Sequence, residues 1–102
     1  MAVKEYIGPF RVERTHRGHH LLVHSYSQIE LALRRRRRSA CTLADALLEA
    51  AGREEWTWTD PNQATFSPET RAAIKRALQP TSRRIEWVRT DWLSESATST
   101  SE

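Results

Sequence analysis

Five consecutive arginines, Arg34 to Arg38, are the residues of this 102-residue chain whose type and spacing point most directly to chemistry. A guanidinium presents a planar fork of donors that meets phosphate oxygens two at a time, so a compact Arg cluster suits a nucleic-acid backbone. Arg11, Arg14, Arg17 and His19 precede the run in a basic segment that would widen the same surface. On a helix, successive residues turn by about 100°, which puts Arg34, Arg37 and Arg38 on one side and turns Arg35 and Arg36 away. Contacts of this kind position a protein on phosphates and carry little sequence selectivity. The same run also fits a solvated helix end, a nuclear-import signal in a eukaryotic host, or docking on an acidic protein.

Four histidines, His16, His19, His20 and His24, fall within nine residues and raise the question of a metal. On a strand His20 and His24 share a face but stand about 13 Å apart, at ~3.3 Å per residue, too far for one ion. His16 and His19 can meet across a turn, yet no second ligand pair at metal spacing follows, and Cys41 is the only cysteine. No metal or cofactor is expected. Beside Arg14 and Arg17, two histidines could serve as acid and base in metal-free RNA cleavage, the arginines steadying a pentacovalent transition state. The spacing does not fix that geometry. No nucleophile elbow, phosphate loop, HExxH or paired-carboxylate pattern is present, and Asp45, Asp60 and Asp91 are scattered, so the chain does not read as an enzyme.

Tryptophans exposed near basic groups stack on unpaired bases, each contributing ~1–3 kcal/mol. Trp56 and Trp58 sit two apart, and Trp87 and Trp92 flank a late apolar segment. With only two Phe and two Tyr besides, a domain this small needs its large rings inside, and most of the four are assigned to packing.

The charge is unevenly spread. Lys and Arg number 16 against 13 acids, a net of +3, but residues 1–41 carry +6 and residues 42–102 carry −3. A dipolar chain of this kind suggests a polyanion-facing side. Fourteen of the sixteen basic residues are Arg, a skew that genome composition alone can produce, so only the contiguous run supports a functional reading. One cysteine excludes an internal disulfide scaffold. The N-terminal segment has no apolar signal region and no stretch reaches the ~20 apolar residues of a membrane span, which points to the cytoplasm.

The elements that would position these groups follow from local pattern. Residues 4–14 alternate as a strand, with Phe10 and Val12 on one face and Gly8-Pro9 marking a bulge or edge. Residues 15–19 form a turn with Gly18 at positive φ, and residues 20–25 return as a second strand. Ser27 and Glu30 have the spacing of a capping box, with Tyr26 and Leu31 as a hydrophobic staple, and predict a helix over 28–38 that ends in the Arg run, where cations suit the helix dipole. A second helix over 43–51 ends at Gly52. Its sequence, LADALLEAA, offers no side chain able to read a base edge, which argues against a helix-turn-helix. Residues 54–59 alternate as a strand, Asp60-Pro61-Asn62 forms a turn, and Ser67-Pro68-Glu69 opens a third helix that ends near Leu78. Residues 84–92 read as a last strand, and the polar residues 94–102 as a disordered tail.

The expected fold is a single α+β domain over residues 1–93, an antiparallel sheet of an N-terminal hairpin and a C-terminal strand with about three helices on one face. The expected function is a small nucleic-acid-binding accessory or regulatory protein, contacting RNA or DNA phosphates through Arg34–Arg38 with help from Arg11, Arg14, Arg17 and His19. The alternatives are a protein-interaction module, such as a small inhibitor or adaptor of viral or mobile-element type, docking its Arg helix on an acidic partner, and third a metal-independent RNase toxin.

Overall fold

A computed structural model of the chain describes residues 4–59, 66–79 and 84–93. The expected turn at residues 60–62 and the expected tail from 94 onward lie outside the described residues. Within them the chain is α+β: strands β1 (Lys4–Ile7), β2 (Phe10–Arg14), β3 (His20–His24) and β4 (Ile29–Arg34), helices α1 (Arg37–Ala50) and α2 (Pro68–Ala77), and a short strand β5 (Trp87–Val88). The strands form one antiparallel sheet in the order β1-β2-β3-β4-β5. Two of the three expected helices form, as α1 and α2, while the one expected over 28–38 does not; among the described residues two short 3-10 turns, Arg53–Trp56 and Asp91–Leu93, accompany them.

Gly8-Pro9 is a hairpin turn where a bulge or edge position was expected. Ile7 pairs with Phe10, and Gly8 has φ +59° ahead of the negative φ that the proline ring imposes. That sign order is the one a two-residue hairpin turn with Gly first requires. The Thr15–His19 turn forms as expected, with Gly18 at φ +85° and the Thr15 amide donating to the His19 carbonyl at 2.8 Å. Arg14 then faces His20 across the β2–β3 ladder, and Phe10 faces His24.

The helix expected over 28–38 does not form. Residues 29–34 are β4, paired with β3 through an irregularity at Leu22/Val23, and Gln28 takes φ +64° to close the loop between the strands. The Ser27 hydroxyl, assigned above to a helix cap, instead accepts from the Ile29 amide and contacts His24 Nδ1 at 2.8 Å. Tyr26, the expected staple residue, is exposed. Pairing to β3 buries Leu31 and Ala32 fully, which outweighs a local preference for helix.

After Arg34 the chain bends and α1 returns along the inner face of the sheet. Its fourteen residues span about 21 Å at 1.5 Å each, close to the ~20 Å of the six-residue β4 beneath it. Ala40, Leu43, Ala44 and Leu47, at the i, i+3, i+4, i+7 spacing of one helix face, are the buried residues of α1. They meet Phe10, Val12 and Leu22 of the sheet. Each large side chain so buried contributes roughly 1.5–3 kcal/mol.

Two further expectations are corrected beyond α1. Gly52 does not cap the helix in the left-handed region: its φ is −63°, and Ala51 is the C-cap. Residues 54–59 are not a strand, since Arg53–Trp56 forms a 3-10 turn. That turn folds Trp56 into the core, where its ring lies 4.8 Å from Phe10 and 5.0 Å from Phe66. Trp58 and Trp92 join the same aromatic cluster, with Trp58 buried and Trp92 half-buried. Trp87, on β5, is 37% exposed and is the tryptophan of the four that faces solvent most.

α2 begins as the sequence predicts. Ser67 is the N-cap and accepts from the Thr70 amide at 3.1 Å, with Pro68 in the first turn. Ile74 and Leu78 are fully buried, and the helix packs chiefly on α1. The expected strand over 84–92 is shortened to Trp87–Val88, paired with Leu33 and Ala32 of β4. No helix among the described residues is long and apolar enough to cross a membrane.

Candidate functional site

The antiparallel register sorts the inner face of the sheet into two ends. At one end Phe10 and His24 lie under the aromatic cluster. At the other, three polar residues stand side by side across three strands: Arg14, His20 and Arg34. The bend at Arg35–Arg36 starts α1 over this second end, so the Arg run is concentrated where β4 stops and the helix begins.

That placement reverses the electrostatics expected from the sequence. The arginines sit at the N-terminal end of a helix, the positive end of its dipole, and not at the C-terminal end that would favour them. The first turn of α1 contains no acid, and Arg36 occupies the N-cap without a side-chain bond to any helix amide. The first intrahelical bond shown at this end runs from the Ala40 amide to the Arg36 carbonyl, so the preceding amides of Arg37, Arg38 and Ser39 project outward among the guanidinium groups. Dipole, amides and side chains all favour an anion here.

Each member of the run has a different setting. Arg34 is only 9% exposed, and its Nη1 has no hydrogen-bond partner among the described residues. Arg35 is exposed, and its backbone amide donates to Glu86 Oε2 at 3.0 Å, pinning the bend to the segment before β5. Arg36 and Arg38 are exposed. Arg37 donates to Glu5 Oε1 of β1 at 2.5 Å and lies 3.6 Å from Cys41 Sγ.

Two concavities flank the start of α1. One, of about 280 Å³, is lined by Glu5, Val12, Arg14, Gly18, His20 and Arg37. Burial, then the charges of Arg14, Arg37 and His19, hold the His20 imidazole below its usual pKa, so it is neutral at physiological pH. The Glu5 carboxylate already compensates Arg37 on this side. The other, of about 440 Å³, opens between α1 and α2; Arg34, Arg36 and Arg38 line it with Ser39, Thr42 and the apolar Leu43, Ala46 and Ala77. Among the described residues none of its lining is acidic. The second concavity is therefore electrostatically the more favourable of the two for an anion, by three cations against a partly neutralised pair.

Of the remaining candidates, Arg14 is brought to the cluster by its pairing with His20. Arg17 is exposed in the adjoining turn, as is the neighbouring His16, while His19 is half-buried with its amide on Thr15 Oγ1 at 3.1 Å. Arg11 is placed elsewhere. It points to the opposite face of the sheet, where Glu13 and Gln28 Oε1 engage its guanidinium. His24 is at the far end of β3, fully buried, and no three His, Cys, Asp or Glu side chains gather among the described residues. Ser39 and Thr42 join the site without a signal of their own in the sequence; the pairing of Arg14 with His20 is legible in the hairpin, whereas that of His20 with Arg34 is hidden by the local helix signal over 28–38.

The chain matches no protein-family model, no curated protein and no solved structure.

Proposed function

We propose that this protein binds nucleic acid through its phosphate backbone, as an accessory or regulatory factor of low sequence selectivity. The reading is supported chiefly by the position of Arg34–Arg38 at the positive end of α1 with no acid in its first turn. A purely structural use of five arginines there would set them against the helix dipole and against each other. A polyanion removes both penalties. Arg14, Arg17 and His19 continue the basic surface across the β2–β3 turn, whereas Arg11 is engaged on the other face and is not assigned a part. Residues 43–50 of α1 offer no amide or basic side chain to read a base edge, which favours contacts to phosphate as the main source of affinity.

The test is a salt titration of binding to single-stranded RNA, double-stranded RNA and double-stranded DNA. Affinity falls steeply with salt, and replacing Arg34–Arg38 by Ala flattens the dependence by about 0.7–0.9 in log–log slope for each phosphate contact removed. Binding that ignores salt, or none at low salt, overturns the reading, and retention of a protein partner after nuclease treatment would favour docking on an acidic protein instead.

A further inference from the structure

Building on the phosphate-binding reading above, we infer that the concavity between α1 and α2 seats the phosphorylated end of a nucleic-acid strand: a terminal phosphomonoester together with part of its nucleoside. Two independent features point there. The first is Arg34, more than nine-tenths buried and lining this concavity, with Nη1 unpartnered among the described residues. A buried cationic donor without an acceptor is costly, and a turn of the guanidinium toward an anion in the concavity would give Nη1, closed to solvent in this structure, the acceptor it lacks. The second is the sorting of the lining itself. Arg34, Arg36, Arg38, Ser39 and Thr42 gather at the helix start, while Leu43, Ala46 and Ala77 extend away from it between the two helices.

Such a site discriminates between kinds of phosphate. A backbone phosphodiester carries one negative charge and continues in both directions along the strand. A terminal monoester carries up to two, ends the chain, and can enter a recess. Three guanidinium groups beside the positive end of a helix favour the dianion, and bidentate contacts reward its additional free oxygen. The volume of about 440 Å³ lies within the range of small-ligand sites and exceeds what a bare phosphate needs. The apolar stretch accordingly takes the sugar or base that follows. The flanking exposed arginines remain available for the diester backbone beyond it.

The experiment compares short oligothymidylates bearing a 5′-phosphate, a 3′-phosphate or hydroxyls at both ends, with inorganic phosphate as a competitor, on the intact protein. One of the phosphorylated strands binds about tenfold or more tighter than the hydroxyl-ended strand, inorganic phosphate abolishes that increment, and the amide resonances of Ser39, Ala40 and Thr42 shift on binding. Arg34→Met removes the increment; Thr42→Glu, at an exposed helix position that tolerates the change, removes it as well and guards against loss of fold in the first variant. Equal binding of all three strands overturns the assignment while leaving backbone binding intact. Phosphate-induced shifts at Ser39 and Thr42 without binding of any strand would leave a bare anion site and overturn both the strand-end assignment and the backbone reading.

Discussion

The imidazole of His24 lies stacked on the indole of Trp58, ring centroids 3.9 Å apart and planes 22° from parallel. Around this pair the hydrogen bonds dictate one tautomer. His24 Nε2 is 2.6 Å from the Trp56 carbonyl, which only accepts, so Nε2 carries the proton. Nδ1 then accepts from the Ser27 amide at 3.2 Å and meets the Ser27 hydroxyl at 2.8 Å. The histidine thus joins the β3–β4 loop to the 3-10 turn after α1 as a neutral, fully buried group.

Acid should unlock it. Burial lowers the His24 pKa below its ordinary 6.5, the hydrogen bond to Trp56 opposing only in part. The unfolded chain therefore binds this proton at higher pH than the folded one. The contribution is fully present above about pH 6.5 and is lost as pH falls from there toward the lowered folded value. Urea midpoints should decline over that window. His24→Gln, able to donate to the Trp56 carbonyl, should lower stability at pH 7.5 by about 1–3 kcal/mol and flatten the decline, leaving the weaker slope of the partly exposed His20. An unchanged slope in the variant would assign the acid sensitivity elsewhere.

Trp56 also closes the end of α1. Its Nε1–H is shared between the Leu47 carbonyl at 3.3 Å and the Ala51 carbonyl at 3.2 Å, two acceptors at a helix terminus. Leu47 keeps a second donor, the Ala51 amide at 3.1 Å, whereas among the described residues no other donor to the Ala51 carbonyl is seen. Trp56→Phe retains most of the ring burial but removes that donor. The expected loss is about 1–3 kcal/mol in urea unfolding with an unchanged m-value.

Legibility in the sequence divides along the same line between local and distant causes. Gly18, the Ser67-Pro68 start of α2 and the alternation of Phe10 and Val12 act within a few residues, and the structure realises each of them. Ser27 and Glu30 also send a local signal, for helix, but the Ser27 hydroxyl is claimed by His24 and the Ile29 amide, partners visible only once β3 and β4 pair. The packing role of the tryptophans in EEWTWT is legible, but their alternation is not that of a strand, since Arg53–Trp56 is a 3-10 turn and Trp58 follows it. At the candidate site the Arg run itself was legible. Its position at the start of α1 was not, because it follows from where β4 ends, and that depends on pairing across the sheet.

Glu5 should restrain the basic surface more than it stabilises the fold. It pairs with Arg37 while both side chains are about half exposed, 45% and 59%. Exposed pairs of this kind contribute about 0–1 kcal/mol. Glu5→Gln should therefore shift stability by less than about 1 kcal/mol yet strengthen oligonucleotide binding. If the released Arg37 engages a phosphate, the log–log salt slope steepens by about 0.7–0.9. A stability loss well beyond 1 kcal/mol would instead make the pair a structural clamp on β1.

If the concavity holds a phosphate, Arg34 should place binding and stability in opposition. Its guanidinium is buried on the inner face, opposite His20 in the β3–β4 ladder, with Nη1 unpartnered among the described residues. Met has a comparable unbranched stem and no charge to desolvate, and exchanging buried charge for well-packed apolar groups is often neutral or stabilising. Arg34→Met should raise unfolding stability by up to about 1–3 kcal/mol in phosphate-free buffer. Inorganic phosphate should then stabilise the wild type by RT ln(1 + [L]/Kd) and leave the variant unmoved. Thermal unfolding of both proteins across a phosphate series, at constant ionic strength set with chloride, separates the two effects. A variant that is less stable than the wild type without phosphate would show that Arg34 holds the fold through contacts of its own, and the opposition would not stand.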